Sequence, residues 1–425
     1  MTRRPLLLIP IAAAALLLAA CTPSSAPEPA ADPVAEGSTP PPDAASGDGE
    51  GSGDATSASD DPFTPVIARV LSTPRPVPTT DGLVHIAYEL YLSNVTTQTA
   101  TIETIDVLDG KGRSLERLDG DEVVPWVHVS GTTEPGRVIG AGQGALVWLD
   151  VTVESMDDVP AKLAHDVTFG FDPGAPPIIT PEMTERLAST PVDHQAPVVI
   201  APPLRGDGWL NGNSCCAVTP HRGAVNPIGG SYHAPERYAI DYVQLDSNGS
   251  FVTGPVDELS SYPYFGADIL AVGDGPIVSM RFDLPEQRPG ANPTGLTVDE
   301  YGGNHIVQQL GDGVYAFYAH LQPGNPAGVE VGQRLSTGDV IGLLGNTGNT
   351  DSPHLHFHLM DSPSPLGSNG VPFVYDDFRL AGEITADDLF ANLTAGGPFE
   401  IATGDRGERE DLYPLWLTVT DYAGP

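Results

Sequence analysis

Three histidines alternate with apolar residues in one short stretch towards the end of the chain. In the segment PHLHFHLM at 353–360, His354, His356 and His358 occupy every second position. Successive side chains of a β-strand point to opposite faces, so a strand here places the three imidazoles on one face and the apolar side chains on the other. Imidazole is the commonest metal ligand and exchanges protons near neutral pH. The pattern therefore predicts a strand with one apolar face and one face able to bind a metal or transfer protons.

The composition argues against two classes of partner. The 425 residues include 19 Lys and Arg against 56 Asp and Glu, which gives a formal net charge of −37. Such a charge repels phosphate backbones and anionic lipid headgroups. We therefore expect no nucleic-acid binding and no electrostatic attachment to a membrane surface.

The start of the chain has the pattern of an export signal. Arg3 and Arg4 precede an apolar run at 6–18, and small residues lead to Cys21. The run is too short for a comfortable membrane span. The pattern resembles a bacterial lipoprotein signal over 1–21. This resemblance implies cleavage before Cys21, a lipid on its thiol, and export to the outer face of the bacterial cell membrane.

Residues 22–61 have the composition of a tether. They contain nine Asp and Glu, no Lys or Arg, and many Pro, Ser, Gly and Ala residues. A segment with so few large apolar side chains cannot bury enough surface to offset its chain entropy. We expect a disordered acidic linker that holds the following domain away from the membrane.

Residues 62–180 are predicted to form an immunoglobulin-like β-sandwich. Apolar and polar residues alternate over 84–92 and again over 147–153, the period of a half-buried strand. No cluster of titratable residues is visible in this domain. We therefore expect it to bind an unknown protein partner or to act as a spacer, and the next domain should not need it for whatever chemistry that domain performs.

The rest of the chain divides into three predicted segments. A connector at 181–203 combines a possible short helix at 181–188 with a proline-rich run. Residues 204–380 show short strands broken by Gly and Pro. Residues 381–425 form an extension with one amphipathic patch and one late strand, for which we expect only a packing role.

Three cysteines do not make a disulfide scaffold. One of them is Cys21, and the other two, Cys215 and Cys216, are adjacent. A disulfide between neighbouring residues is strained, so the sequence leaves open a local redox pair or two buried thiols.

Four motifs in the 204–380 segment occur in a characteristic order. They are FYAHL at 317–321, a hairpin-like unit at 331–342, GNTG at 345–348 and HLHF at 354–357. Together they resemble the lysostaphin/LytM-type zinc metallopeptidases. The resemblance implies a small antiparallel β-structure with an open groove, the duplicated hybrid motif. It also implies hydrolysis of peptide bonds in bacterial cell-wall peptidoglycan, or a regulatory role in members that have lost the metal.

The same resemblance assigns roles to four residues. Asp241 and His356 would be zinc ligands, and His354 would be the general base. His320, predicted on one face of its strand with Ala316 and Tyr318, would stabilise the oxyanion. A catalytic zinc keeps three protein ligands and one open position, so one ligand is still missing.

The third ligand is where the sequence departs from the family pattern. Many members have a histidine four residues before the aspartate, and this chain has Arg237 there. A guanidinium stays protonated and cannot bind zinc, although it could orient the Asp241 carboxylate or hold substrate. His221 and His233 are the upstream candidates. Similarity to relatives with His-Arg in the upstream position favours His221.

Two functions follow as predictions. The first is a membrane-anchored zinc endopeptidase that acts on peptidoglycan peptides. The alternative is a metal-free binding or activator protein on the same scaffold, which the histidine missing at 237 would favour. His358 is expected outside the set of zinc ligands, as a hydrogen-bonding neighbour or at the groove rim.

Overall fold

The computed structural model describes residues 62–174, 176–291 and 293–423. The predicted signal at 1–21, with its lipidation residue Cys21, and the predicted linker at 22–61 lie outside the described residues. Within the described ranges, no helix combines the length and the apolar character needed to cross a membrane.

The first ten strands form two sheets around one core. They are β1 (Val66–Val70), β2 (Pro76–Pro78), β3 (Val84–Asn94), β4 (Ala100–Asp109), β5 (Ser114–Asp119), β6 (Val127–Val129), β7 (Val138–Ile139), β8 (Gly144–Val153), β9 (Lys162–Phe171) and β10 (Glu182–Pro191). One sheet has the order β1-β3-β8-β6, with β2 beside β3, and the other has the order β10-β9-β4-β5, with β7 beside β4. Ile86 of the first sheet and Phe169 of the second lie in the same buried cluster. The predicted sandwich is confirmed.

The sandwich extends further than the sequence suggested. The possible helix at 181–188 is wrong, because this stretch is strand β10, which pairs antiparallel with β9. Glu185 and Leu187 are buried and Met183 is half-buried, whereas Glu182, Thr184 and Arg186 are exposed, which is the period of a strand. The open edge of β9 supplies the backbone partners, so sheet pairing decides the conformation here.

Fifteen further strands among the described residues build the second part of the chain. They are β11 (Val198–Ile200), β12 (Gly206–Gly212), β13 (Asn226–Ile228), β14 (Ser231–His233), β15 (Ile240–Gln244), β16 (Asp268–Leu270), β17 (Gly275–Arg281), β18 (Asn304–Gly311), β19 (Val314–Leu321), β20 (Arg334–Leu335), β21 (Val340–Leu343), β22 (Leu355–Met360), β23 (Phe373–Glu383), β24 (Gly407–Leu412) and β25 (Thr418–Tyr422). Eleven of them form one sheet, in the order β11-β23-β25-β12-β15-β22-β19-β18-β17-β20 with β24 beside β23. In this sheet β11 and β23 run parallel, and the other pairs run antiparallel.

Helices contribute little to the described part of the chain. The α-helices are α1 (Pro220–Gly223) and α2 (Ala386–Asn392), and short 3-10 turns occur at Gly120–Trp126, Met156–Asp158, Pro235–Tyr238, Leu259–Ser261 and Leu393–Ala395. The prediction of an all-β protein, with a sandwich ahead of a mainly antiparallel sheet domain, is confirmed.

The histidine strand lies at the centre of the large sheet. Leu355, Phe357 and Leu359 are fully buried in the main core, so the predicted apolar face is confirmed. The strand pairs with β15 on one side and with β19 on the other, which places Asp241 directly opposite His356. The sheet register therefore brings distant parts of the sequence to one surface.

The segment after residue 373 is part of this sheet and not an appendage. Strands β23 and β25 lie between β11 and β12, and the Phe373 ring packs against the rings of Phe357 and Tyr413. Phe373 and Tyr413 are both fully buried. Residues 373–423 therefore help to form the core that supports the histidine strand.

This placement predicts the cost of a substitution near the end of the chain. Phe373→Ala removes a fully buried ring and should lower the free energy of unfolding by about 3–5 kcal/mol, measured by urea denaturation. Leu393→Ala is the control, because Leu393 is 45% exposed and a surface substitution changes stability by about 0.5 kcal/mol or less. Equal effects of the two substitutions would contradict the role of this segment in the core.

Candidate metal centre

Three side chains from three separate elements converge on one point. His221 lies in α1, Asp241 in β15 and His356 in β22. One potential ligand atom from each of them lies within 4.8 Å of those of the other two. The structure thus brings together the three residues proposed as ligands from the sequence.

His221 is fixed by its own short helix. Thr219 caps α1, because its side chain accepts a hydrogen bond from the Arg222 backbone N–H. The His221 Nδ1–H donates to the Ala239 carbonyl at 3.1 Å. This bond leaves Nε2 free to face the Asp241 Oδ2 atom, 3.1 Å away.

Asp241 is the centre of the cluster. Its Oδ2 atom accepts a hydrogen bond from Asn213 Nδ2 at 2.8 Å, and its Oδ1 atom lies 3.0 Å from His356 Nδ1. Burial alone would raise the pKa of Asp241, but the charges of His221 and His354 outweigh it and hold this pKa well below its usual value. The carboxylate is therefore ionised throughout the neutral range.

His356 has both ring nitrogens engaged. Nδ1 faces Asp241, and Nε2 lies 2.9 Å from Nδ1 of His358. Burial, together with His356 and His221, keeps the pKa of His358 well below its usual value, so the His358 ring is neutral. In the tautomer in which His356 Nε2–H donates a hydrogen bond to His358 Nδ1, the lone pair of His356 Nδ1 is available for a metal. His358 is thus a hydrogen-bonding neighbour of a ligand, one of the two positions expected for it.

The donor set fits a zinc ion. Two imidazoles and one carboxylate are a common ligand set of catalytic zinc, and each ligand has a partner that orients it: Ala239 for His221, Asn213 for Asp241 and His358 for His356. Burial disfavours the charged form of His221, yet the Asp241 carboxylate raises its pKa to about 9. In the metal-free protein the Asp241 carboxylate therefore lies beside a protonated His221, and a cation bound at this point would displace the His221 Nε2 proton.

Two more histidines stand beside the cluster. His354 Nδ1–H donates to the Ser352 carbonyl at 2.8 Å, and its Nε2 lies 3.4 Å from Asp241 Oδ1. His320 Nδ1–H donates to the Thr347 carbonyl at 2.7 Å, and its ring centroid is 4.6 Å from that of His354. Both rings are thus held by Nδ1, which leaves Nε2 for chemistry.

The two rings differ in the charge they favour. Burial would lower the pKa of His354, but Asp241 raises it. Burial and the neighbouring rings of His354 and His356 hold the pKa of His320 well below its usual value. Because its Nδ1–H is already used, neutral His320 presents a lone pair at Nε2, and it donates from Nε2 only when the ring is protonated.

His320 reaches this position through an unusual backbone. Regular alternation would put it on the face of Ala316 and Tyr318, as the sequence predicted, but those two side chains lie in the main core. At His320 the φ angle is +61°, in the left-handed region that non-glycine residues rarely adopt. This reverses the alternation and turns the imidazole towards His354, so the predicted grouping is wrong at His320.

The other upstream candidates lie elsewhere. His233 is in β14 and does not belong to the ligand cluster found among the described residues. Arg237 is buried and pairs with Glu89 of the sandwich, so it neither orients Asp241 nor faces a groove. Sequence reasoning missed Asn213, whose contact with Asp241 gives no local sequence signal.

A second group of potential ligands is already occupied. His85, Asp150 and Cys216 lie close together, but the His85 ring nitrogens face two carboxylates, Asp150 at 2.8 Å and Asp81 at 3.2 Å. Cys216 forms a disulfide with Cys215, and both are buried. The sequence was compatible with either a local redox pair or two buried thiols, and in the structure Cys215 and Cys216 form a disulfide.

Comparison with known proteins gives one family match and several partial relatives. Residues 262–368 match the model of Peptidase family M23. Peptidoglycan DD-endopeptidase ShyA from Vibrio cholerae is 40% identical over 68 residues, which are 16% of this chain and 15% of that protein. Glycyl-glycine endopeptidase ALE-1 from Staphylococcus capitis is 45% identical over 60 residues, 14% of this chain and 16% of that protein. The chain therefore spans less than one-fifth of the length of either relative.

A solved structure gives a weaker likeness. A zinc containing peptidase from Vibrio cholerae shares 14% identity and covers 67% of this chain and 80% of its own, with a TM-score of 0.20. A score of this size adds nothing to the description of the site. The residues that match the model of Peptidase family M23 include His320, His354 and His356.

Proposed function

We propose that this protein is a zinc endopeptidase that hydrolyses peptide bonds of bacterial cell-wall peptidoglycan. The observation that carries the proposal is the cluster of His221, Asp241 and His356 with two anchored histidines beside it. The family match and the activity named for ShyA support the substrate class.

The residues divide into metal ligands and proton carriers. His221 Nε2, the Asp241 carboxylate and His356 Nδ1 would hold the ion. When bound, zinc would lower the pKa of a water molecule towards neutrality and polarise the carbonyl of the scissile bond. His354 Nε2 lies beside the ligand atoms and accepts a proton from the attacking water. His320 would stabilise the developing oxyanion from Nε2 once its ring has taken up a proton, because burial keeps the free ring neutral with a lone pair at Nε2.

The alternative function is a binding or activator protein that carries no metal. The sequence feature that favoured it is Arg237 in the place of a family ligand. His221 supports the enzyme hypothesis instead, because it can supply the third ligand that Arg237 cannot. Its Nδ1–H donates to the Ala239 carbonyl, and its free Nε2 faces the Asp241 carboxylate. The alternative is therefore an outcome of the experiment below.

We predict that metal content and turnover respond differently to substitution. His356→Ala and His221→Ala each remove a ligand, so zinc measured by mass spectrometry of the purified protein should fall. His354→Ala and His320→Ala should keep the zinc. Their cleavage of purified peptidoglycan peptides should slow by a factor of about 10² to 10⁴, as expected for loss of a general base or an oxyanion donor.

His233→Ala is the matched control for His221→Ala, since both remove an upstream histidine. It should keep both zinc and activity. Zinc loss in His233→Ala but not in His221→Ala would overturn the choice of third ligand. A wild-type protein that binds no zinc and cleaves no peptide would establish the binding alternative.

We also propose that Cys21 anchors the protein at the outer face of the cell membrane. The support is the arrangement of two arginines, an apolar run and small residues before Cys21. The acidic tether at 22–61 would then let the enzyme reach the cell wall.

Changing Cys21 to Ala should therefore release the protein from the membrane fraction or leave its signal uncleaved. Fractionation followed by intact-mass measurement distinguishes these outcomes from wild type. A Cys21→Ala protein that is fully processed and still membrane-bound would contradict the anchor.

A further inference from the structure

The chain between two of the proposed ligands packs against the sandwich. Between His221, which lies in α1, and Asp241 the chain forms the β13–β14 hairpin and the 3-10 turn Pro235–Tyr238. The Tyr232 ring of the hairpin lies 5.2 Å from the Tyr91 ring of the sandwich. The Tyr238 hydroxyl in the turn donates to the Arg75 carbonyl at 3.2 Å. This ligand-bearing segment therefore rests on the other domain.

Arg222 ties α1 to that domain. It follows His221 directly, and only 1% of it is exposed. Its guanidinium donates to the backbone carbonyls of Leu149 at 3.2 Å and Tyr88 at 3.4 Å, both in the sandwich. Its Nε lies 3.5 Å from Glu89 Oε1.

Arg237 ties the 3-10 turn to the same carboxylate. Its Nε lies 3.1 and 3.0 Å from the two Glu89 oxygens, and its Nη2 contacts both Glu89 and the Ser72 hydroxyl. The turn is followed at once by Ala239, whose carbonyl accepts the His221 Nδ1–H, and then by Asp241. The position of Arg237 therefore fixes the backbone that leads into two parts of the cluster.

Glu89 connects the two arginines. It is fully buried in β3, and its carboxylate faces a guanidinium from each of the two segments. Charges in such a place must be paired, because an unpaired buried charge is strongly disfavoured. Removing the carboxylate charge would leave two buried guanidinium groups with hydroxyl and carbonyl partners only.

We propose that Glu89 is a positioning residue of the metal centre: it holds Arg222 and Arg237, and through them the segments that carry His221 and Asp241. This inference rests on the proposed function, since it concerns the same metal. It gives the sandwich a part in the site. The sequence predicted that hydrolysis does not need the sandwich, because no cluster of titratable residues is visible within that domain. That argument misses Glu89, since both of its charged partners belong to the other domain.

The test is zinc affinity of the full chain, measured by competition with a chromophoric chelator. Glu89→Gln keeps the shape of the side chain and removes its charge, and it should raise the apparent Kd for Zn²⁺ at least tenfold. Glu185→Gln is the matched control. Glu185 is also a buried sandwich carboxylate, 3% exposed, but its Oε2 atom accepts from the Val66 backbone N–H and it has no ion pair among the described residues. Its Kd should stay within about twofold of wild type.

The outcomes separate this inference from the proposed function. Wild type that binds no Zn²⁺ overturns the proposed function, and this inference with it. Wild type that binds Zn²⁺ while folded Glu89→Gln binds it equally well overturns this inference alone, even if the variant unfolds at a lower temperature. If Glu89→Gln does not fold, Arg237→Lys decides. This substitution keeps the positive charge but loses the bidentate contact of the guanidinium with Glu89, so it should weaken Zn²⁺ binding several-fold. An unchanged Kd for Zn²⁺ overturns the inference.

Discussion

One buried carboxylate organises the candidate site. Asp241 lies within 3.4 Å of imidazole nitrogens from His221, His354 and His356. His221 comes from α1, His356 from the central strand β22, and His354 immediately precedes that strand. The antiparallel pairing of β15 with β22 puts Asp241 opposite His356, so sheet register fixes this contact. The ionised carboxylate favours the protonated forms of His221 and His354 in the metal-free protein, because it raises the pKa of each. A divalent cation bound to the carboxylate would remove this effect and leave His221 as a neutral ligand.

The sandwich and the sheet domain depend on each other at their boundary. The Tyr413 backbone N–H donates to the Pro78 carbonyl at 2.9 Å, and the Thr80 N–H donates to the Tyr413 carbonyl at 3.1 Å. The buried pairing of Glu89 with two arginines lies in the same interface. Removing one partner of a buried ion pair typically costs about 3–5 kcal/mol. The two domains therefore cannot be separated without exposing or unpairing charges next to the ligand-bearing segment.

Local patterns predicted most of the elements, and contacts between distant segments set the rest. The alternation of His354, His356 and His358 was sufficient to predict the apolar face of β22 and the shared face of His356 and His358, although His354 lies just before the first residue of the strand. It failed at His320, because one left-handed residue reverses the alternation and the sequence carries no glycine there to signal it. Strand β10 was predicted as a helix because its sheet partner lies elsewhere in the chain. The Glu89 pairing was invisible for the same reason, since its two arginines follow more than 130 residues later.

The most direct test of the metal centre is anomalous diffraction at the zinc absorption edge from crystals of the purified protein grown with Zn²⁺. We expect a peak bonded to His221 Nε2, the Asp241 carboxylate and His356 Nδ1, at the distances of about 2.0–2.2 Å that zinc makes with nitrogen and oxygen. A map without a peak at these atoms, or with its zinc at His85 and Asp150 instead, would contradict the central claim.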